Sequence, residues 1–540
     1  MLSYTALGIR HEISLQALAT VAETPKFLPA AAHARRSASA QALQSSAPRI
    51  ATLVGESSVL RSRIGDPSKL AVVQGQVAAR PTHGRRSVGH SAISTHETLT
   101  IATETVIAEG LRRDDFAAAK AYGAEVLEEA LDGKVLLRVD SVERAFGLVD
   151  LLLKRNVGSV SPNFLRRVER LNASAAQENW SLKMIGAAEA WATTRGSADI
   201  KIAVLDEGVD TTHPALKAAV YRERDFIGNN GDSAMPDGND AHGTACAGII
   251  VSRSKAVPGI APACRLIAAR IAMGDGNQGW VFDDFATADA IDWAWREGAD
   301  VLSNSWGGGA PSDAISRAFA RARTQGRGGL GSVVVIAAGN AQRPIDFPGN
   351  LPGYVTVGAS NPADQRKTKT SSDGENWWGS SYGATLHLLA PGVFIWTTDI
   401  VGPAGYTPTD FSKTYNGTSS ATPAVAAAAA LMLSANPALS ASSVRNLLAR
   451  TAKKIQGQTD WTQELGWGRL DVAKAVAAAK LAGAPAATPK PPAAKKTPAA
   501  KKAPAAKKTA VAKKAPAAKT KAPAVKKAAK KAAPRRKAAA

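Results

Sequence analysis

The sequence predicts an α/β protein with a parallel sheet flanked by helices on both faces, preceded by a small α+β module. Three observations carry that expectation. From about Ile200 to Gly483, short and wholly apolar runs alternate with stretches of helical periodicity, as strands buried on both faces and their crossover helices do. Around residues 134–160 a strand, an amphipathic helix and a second strand follow one another closely. Finally, an acid, a base and a hydroxyl candidate fall just past the carboxyl ends of strands or at helix starts, where open parallel sheets place their active sites.

Taken in order, residues 1–100 are rich in Ala, Ser and Arg with no sustained period of 3.6 or 2, so they are expected to be mostly disordered or loosely helical. Residues 101–172 form the small module. Lys134 to Val139 alternates as a strand, and Asp140-Ser-Val-Glu143 reads as a helix start with a capping carboxylate three residues on. Ala145, Leu148, Val149 and Leu152 supply one apolar helix face, and Val157 to Val160 is a second strand. The large domain spans 173–483, with strands placed at Ile200 to Leu205, Arg265 to Ile271, Asp300 to Ser303, Ser332 to Ala337 and Tyr354 to Val357. Its clearest helix carries Phe285, Ala288, Ile291 and Trp295 on one face and stops at Gly298, a natural left-handed residue. Residues 484–540 are low in complexity, with Lys pairs at 495/496, 501/502, 507/508 and 513/514, and cannot build a core.

Composition narrows the class. A hydrophobic fraction of 45% suffices for at least one full-sized core, and two cysteines, Cys246 and Cys264, exclude a disulfide framework. They read as buried thiols, with a single bridge as the alternative. The first thirty residues hold no uninterrupted apolar core before a small-residue cleavage site, so no ordinary signal peptide is expected and a cytoplasmic location is favoured. No stretch reaches the ~20 apolar residues of a membrane span, the nearest being Ala424 to Leu433. Of the net charge of +22, the tail from Ala484 contributes +18 through 16 Lys and 2 Arg with no acid, which leaves a nearly balanced body.

The chemistry rests on three residues in their local contexts. Asp206 ends the apolar run Ile-Lys-Ile-Ala-Val-Leu; His242 opens His-Gly-Thr-Ala-Cys-Ala-Gly; Ser419 lies in Asn-Gly-Thr-Ser-Ser-Ala-Thr-Pro at the start of a helix from Ala421 to Ser434. A serine hydroxyl becomes a nucleophile when an imidazole takes its proton, and the imidazole needs a carboxylate to fix its tautomer. Each residue alone has a plainer reading as a turn, core or cap residue; their joint occurrence points to catalysis. His213 and His387 serve as contrasts, the first read as structural and the second as part of an apolar strand-like run.

Asp206-Glu-Gly-Val-Asp, His242-Gly-Thr and Gly417-Thr-Ser-Ser-Ala-Thr-Pro resemble the three signatures of the subtilisin-like serine proteases, in that family's order of Asp, His and Ser, over about Trp180 to Val476. The resemblance implies a serine endopeptidase with no cofactor for the chemistry and a polypeptide substrate. Ala337-Ala-Gly-Asn340 is similar to the segment whose Asn completes the oxyanion hole, which gives Asn340 that role. Ser305-Trp306-Gly307 resembles the edge that pairs with substrate backbone, and with Ala337, Ala338 and Gly339 it would frame the primary specificity pocket. The module before it resembles the family's propeptides, implying that it occupies the cleft until cut between Phe164 and Trp180. Two departures stand out. Ser420 takes a place where Met is common, and Glu207 follows the Asp where many relatives carry Thr or Ser. Glu207 and the glycine-rich run Gly326 to Ser332 are similar to the kexin-like branch, yet no acidic pair marks a pocket for basic residues and no such preference is inferred. The family often holds structural calcium, for which Asp275, Asp283 and Asp284 are available, a surface charge cluster being the alternative. The Lys/Ala/Pro tail resembles those of linker histones, and is expected to bind DNA or another polyanion without sequence preference. The rival functional reading is a nucleic-acid-binding protein on a catalytically silent protease scaffold.

Overall fold

The computed structural model describes residues 99–483, less 131–132, 170–178, 229–231 and 276–278, together with 2–6, 9–17, 60, 63–64 and 69–76. These lie in one unit, Met1–Ala486; the basic tail, and with it the expected polyanion binding, lies outside the described residues.

The N-terminal part is an antiparallel sheet backed by a helix. Its elements are β1 (Leu2–Ala6), β2 (Ile9–Ala17), β3 (Ala71–Gln76), β4 (Leu99–Glu109), α1 (Arg113–Ala121), β5 (Glu125–Glu129), β6 (Lys134–Arg138), α2 (Val142–Lys154) and β7 (Ser159–Glu169). Strand order runs β1-β2-β3-β4-β7, with β6 also on β4 and β5 on β6. The apolar face of α2 buries Ala145, Leu148, Val149 and Leu152 against Val106, Val135, Leu137 and Val160. Its N-cap is Ser141, whose hydroxyl accepts from the Arg144 amide at 3.3 Å. This corrects the expected start at Asp140, which sits one residue too early and pairs with the Arg144 guanidinium at 2.9 Å instead. Strands β1 to β3 also correct, for their own residues, the expectation that residues 1–100 are mostly disordered or loosely helical. They join through the main chain to the edge that β4 offers, Val72 opposite Ile101 and Leu15 opposite Val73, so their register comes from a neighbour and not from their own pattern.

The larger part begins with two short helices, α3 (Trp180–Met184) and α4 (Ala187–Trp191), and then builds the sheet. Its strands and helices alternate: β8 (Lys201–Asp206), β9 (Val220–Asp225), α5 (His242–Val251), β10 (Arg265–Arg270), β11 (Met273–Gly274), β12 (Gly279–Asp283), α6 (Asp284–Arg296), β13 (Val301–Asn304), α7 (Asp313–Gln325), β14 (Val333–Ala337), β15 (Val355–Ser360) and β16 (Leu386–Pro391). The hairpin β17 (Ile395–Thr398) and β18 (Phe411–Tyr415) leads to α8 (Thr418–Ala435), α9 (Ala441–Thr451) and α10 (Val472–Leu481). The parallel sheet has the order β16-β15-β14-β13-β8-β10-β9. Successive residues of one strand serve opposite faces: Ile202 and Val204 pack toward α5 and α8, Ala203 and Leu205 toward α6 and α7. The expected α/β class, a parallel sheet with helices on both faces, is what the chain forms.

Helix α6 opens where Asp283 accepts from the Ala286 amide at 2.9 Å and is followed by Gly298 at φ +89°. Among the described residues α8 alone is long and apolar enough to cross a membrane, and its residues from Thr418 to Leu433 are buried in this core. Cys246 and Cys264 are both free and buried.

The two parts meet on α6, α7 and β12. Strand β7 continues antiparallel along β12, from Leu165 opposite Asp283 to Glu169 opposite Gly279. Arg166 reaches Asp284 at 2.5 and 3.0 Å, and Lys134 reaches Asp292 at 2.8 Å, both pairs buried. Arg321 of α7 links Asp292 at 2.7 Å to Glu109 at 3.3 Å.

Candidate active site

Asp206 is the last residue of β8, at the carboxyl edge of the sheet. One of its carboxylate oxygens accepts from the Glu207 amide at 2.9 Å and faces Nδ1 of His242 at 2.8 Å. His242 is the first residue of α5, a helix whose N-cap Ala241 has no side chain to offer. Glu207 fills that gap, its buried carboxylate accepting from the His242 amide at 2.8 Å. Gly243 lets the helix come this close: a Cβ there would lie 2.1 Å from the Gly208 carbonyl oxygen and 2.9 Å from Cβ of Asp206.

The imidazole is enclosed by Trp280 and Tyr415, with ring centroids 5.2 and 5.6 Å away. Burial alone would lower its pKa, but the charge and hydrogen bond of Asp206 outweigh that and hold it well above the ordinary histidine value. The Cys246 sulfur lies 3.9 Å from Nδ1 and 3.2 Å from the Tyr415 hydroxyl, and burial pushes the thiol pKa up, so it stays protonated beside the ring.

Ser419 is in the first turn of α8, which starts three residues earlier than the sequence suggests, directly after Gly417 at φ +110°. Its hydroxyl donates to the Ser305 carbonyl at 3.2 Å, and the Ser305 hydroxyl donates to the Ser419 carbonyl at 3.0 Å. Asn340, after β14, has its side-chain oxygen occupied by the Thr418 amide at 2.8 Å and the Thr418 hydroxyl at 2.9 Å. With the oxygen so used, the remaining polar group of this cleft-lining side chain is its amide nitrogen, a donor. Ser305, Trp306, Gly307, Ala337, Ala338, Gly339 and Asn340 line one cleft of about 240 Å³ with His242 and Ser419. Trp306 sits between Phe282 and Phe319, at centroid distances of 5.5 and 5.9 Å.

Thus every site residue read from the sequence lies at this cleft or, as Asp206 does, directly behind it. Among the contributors that escape the sequence reading are Glu207 as the cap under His242, Trp280 against its ring, and Arg343 and Asp346, which also line the cleft. Glu207 carried a signal, being noted as unusual after the Asp; the other three had none. The contrast histidines lie elsewhere. His213 accepts from the Ala215 amide at 3.0 Å, and His387, with burial and the Arg445 charge pushing its pKa down to about 3, is a neutral core residue.

The acids considered for calcium each make contacts within the fold. All three are buried, which also removes the alternative of a surface cluster. Asp283 caps α6, Asp284 is taken by Arg166, and Asp275 accepts from the Gly279 amide at 2.9 Å.

Comparison with known proteins agrees with this geometry. The sequence matches the profile of the peptidase S8, or subtilase, family over residues 197–468. Thermitase of Thermoactinomyces vulgaris is 35% identical over 297 residues, 54% of this chain and 93% of thermitase. Subtilisin DY of Bacillus licheniformis is 34% identical over 283 residues, 51% of this chain and 92% of that protein. Among solved structures, fervidolysin of Fervidobacterium pennivorans, a keratinolytic enzyme related to subtilisin, superposes with a TM-score of 0.56 at 22% identity, over 71% of this chain and 61% of its own, a likeness of fold. None of this favours the silent-scaffold reading.

Proposed function

Since the chain belongs to the subtilase family, we propose that it is a serine endopeptidase whose triad is Asp206, His242 and Ser419. The observation that carries this reading is the buried Asp206–His242 pair at 2.8 Å on the cleft that also holds Ser419. In the reaction the Ser419 hydroxyl gives up the Ser305 carbonyl and turns to Nε2 of His242 across the cleft that both line. The imidazole takes the proton as Oγ attacks the substrate carbonyl carbon, and Asp206 steadies the imidazolium. The nitrogen of the Asn340 side chain donates to the oxygen that becomes negative, an interaction worth ~100 to 1000-fold in turnover. Protonation of the amine by His242 releases it and leaves an acyl-enzyme, which water opens by the same route.

The N-terminal module, residues 101–172, acts as a propeptide whose last strand leads into the cleft. The pairing of Val168 with Trp280 supports this, because Trp280 is itself a wall of the cleft. Leu165 to Glu169 are strand residues, so the cut expected between Phe164 and Trp180 falls beyond them, on residues 170–178, outside the described residues.

The test is a fluorophosphonate probe, which forms an adduct on Ser419 only if the site is assembled and active. Labelling is expected in the wild type and in Ser420→Ala, and absent in Ser419→Ala, whose hydrolysis falls by ~10^4-fold or more. The Ser419→Ala protein should keep its full-length amino end by intact mass. Near-normal hydrolysis in that variant would refute the triad.

A further inference from the structure

The cleft contains one pair of charged side chains that the triad chemistry does not use. Asp346 and Arg343 both line it, and Asp346 is the only carboxylate among the described residues that do. Its place is set by the backbone around it. A Cβ on Gly307 would come 3.3 Å from the Phe347 carbonyl oxygen, and one on Gly349 would come 2.9 Å from the carbonyl oxygen of Ala337. The Gly308 amide donates to the Phe347 carbonyl at 2.6 Å. Residues 346–349 therefore lie against both the Ser305–Gly307 wall and the Ala337–Gly339 wall of the cleft.

The two charges differ in freedom. Asp346 is short and stands between buried Ile345 and Phe347; the Ile345 amide donates to Tyr382 at 2.9 Å and the Asn350 amide to the Asp346 carbonyl at 3.0 Å. It stays where it is. Arg343 reaches it at 2.5 Å on a long flexible stem beside exposed Pro344, and the two side chains are 21% and 24% exposed. A pair that keeps some exposure to solvent contributes only modestly to stability. Once substrate covers the cleft, the carboxylate loses water and needs a cation, which either Arg343 or the substrate can supply.

Resting on the reading of this cleft as a peptidase site, we propose that Asp346 makes its primary pocket selective for peptides carrying Lys or Arg on the acyl side of the scissile bond, the substrate cation displacing Arg343. The acid, not the arginine, sets the preference. A search of the sequence for an acidic pair misses this, because the pocket needs only one acid and that acid is brought there by the 346–349 turn.

The experiment compares kcat/KM of the full-length protein on peptides that differ only in this residue: Arg, Lys, Phe, Leu and Glu. Arg and Lys are expected to exceed Phe by about tenfold or more, Asp346→Asn to lower the Arg/Phe ratio by about tenfold or more, and Arg343→Ala to raise it. Measuring ratios in one protein removes errors from partial misfolding. A wild type that takes the fluorophosphonate probe yet prefers Phe, Leu or Glu, or a ratio unchanged by Asp346→Asn, overturns this inference and leaves the peptidase reading standing. A wild type that neither labels nor cleaves any peptide overturns both.

Discussion

The parallel sheet and the seam between the N-terminal module and the rest of the chain are both buried, but they are held by different forces. Strands β8, β10 and β14 are mostly Val, Ile, Leu and Ala, and every residue of β13, β14 and β15 is buried, so the sheet that carries Asp206 and precedes Asn340 is stabilised by apolar burial that salt and pH scarcely touch. The seam adds to its backbone ladder the charged pairs Arg166–Asp284 and Lys134–Asp292 and the Arg321 bridge. Buried ion pairs contribute little net stability yet are costly to break halfway. The sheet is thus held by apolar burial, and the register of the module against it is set by backbone pairing and charge.

Three perturbations would sharpen or break that contrast. The largest effect is expected from Asp206→Asn, which spares the apolar scaffold but removes the carboxylate beneath the imidazole. Turnover should fall by ~10^4-fold. Because Asp206 raises the His242 pKa, wild-type activity should rise with pH through a midpoint above the ordinary value of 6.5, and the midpoint should move down in the variant. An unmoved midpoint in pH–rate profiles would show that Asp206 does not control the ring.

Next comes the seam. In an uncut Ser419→Ala background, Arg166→Met strands the buried Asp284 carboxylate and should weaken docking of the module by ~3–5 kcal/mol. Lys134→Met should cost less, since Asp292 keeps Arg321 at 2.7 Å. Hydrogen exchange of α2 and β7 reads both, and equal protection in the two variants would contradict the ionic account.

The smallest effect is a pH response of the same background protein. Burial raises Asp283 to a pKa of about 6, against lowering by Arg63 and the Ala286 amide, with Asp284 and Glu128 raising it. An acid whose folded pKa is raised binds its proton more tightly when folded. Its contribution is therefore complete below the unfolded value near 3.8 and lost as pH rises through 6, by at most ~3 kcal/mol. Thermal melts across pH 4 to 8 should show this loss, and Asp283→Asn should flatten it; a flat wild-type profile would refute it.

How much of this was legible in the sequence follows from the same contrast. The five expected strands appear within a residue or two at most ends because their apolar runs are dictated by burial on both faces. Strand β9, Val-Tyr-Arg-Glu-Arg-Asp, sits on the sheet edge with polar residues outward and gave no such signal. The residues proposed as the triad, and Asn340, could be singled out because each lies in a short contiguous motif. Glu207 under His242, and Asp346 between the pocket walls, depend on approaches between residues far apart in the chain, which no local pattern encodes.

The pairing of β7 with β12 also has a consequence for kinetics. If the module acts as the proposed propeptide, a strand tethered beside the cleft would compete with an incoming peptide at an effective concentration of the order of millimolar, whatever amount of protein is present. Cutting that linker turns the same strand into a separate molecule at the protein's own concentration, on the order of a thousandfold less at micromolar levels. With every contact of the seam unchanged, one broken peptide bond would shift the balance toward substrate by that factor, and dilution would complete the release.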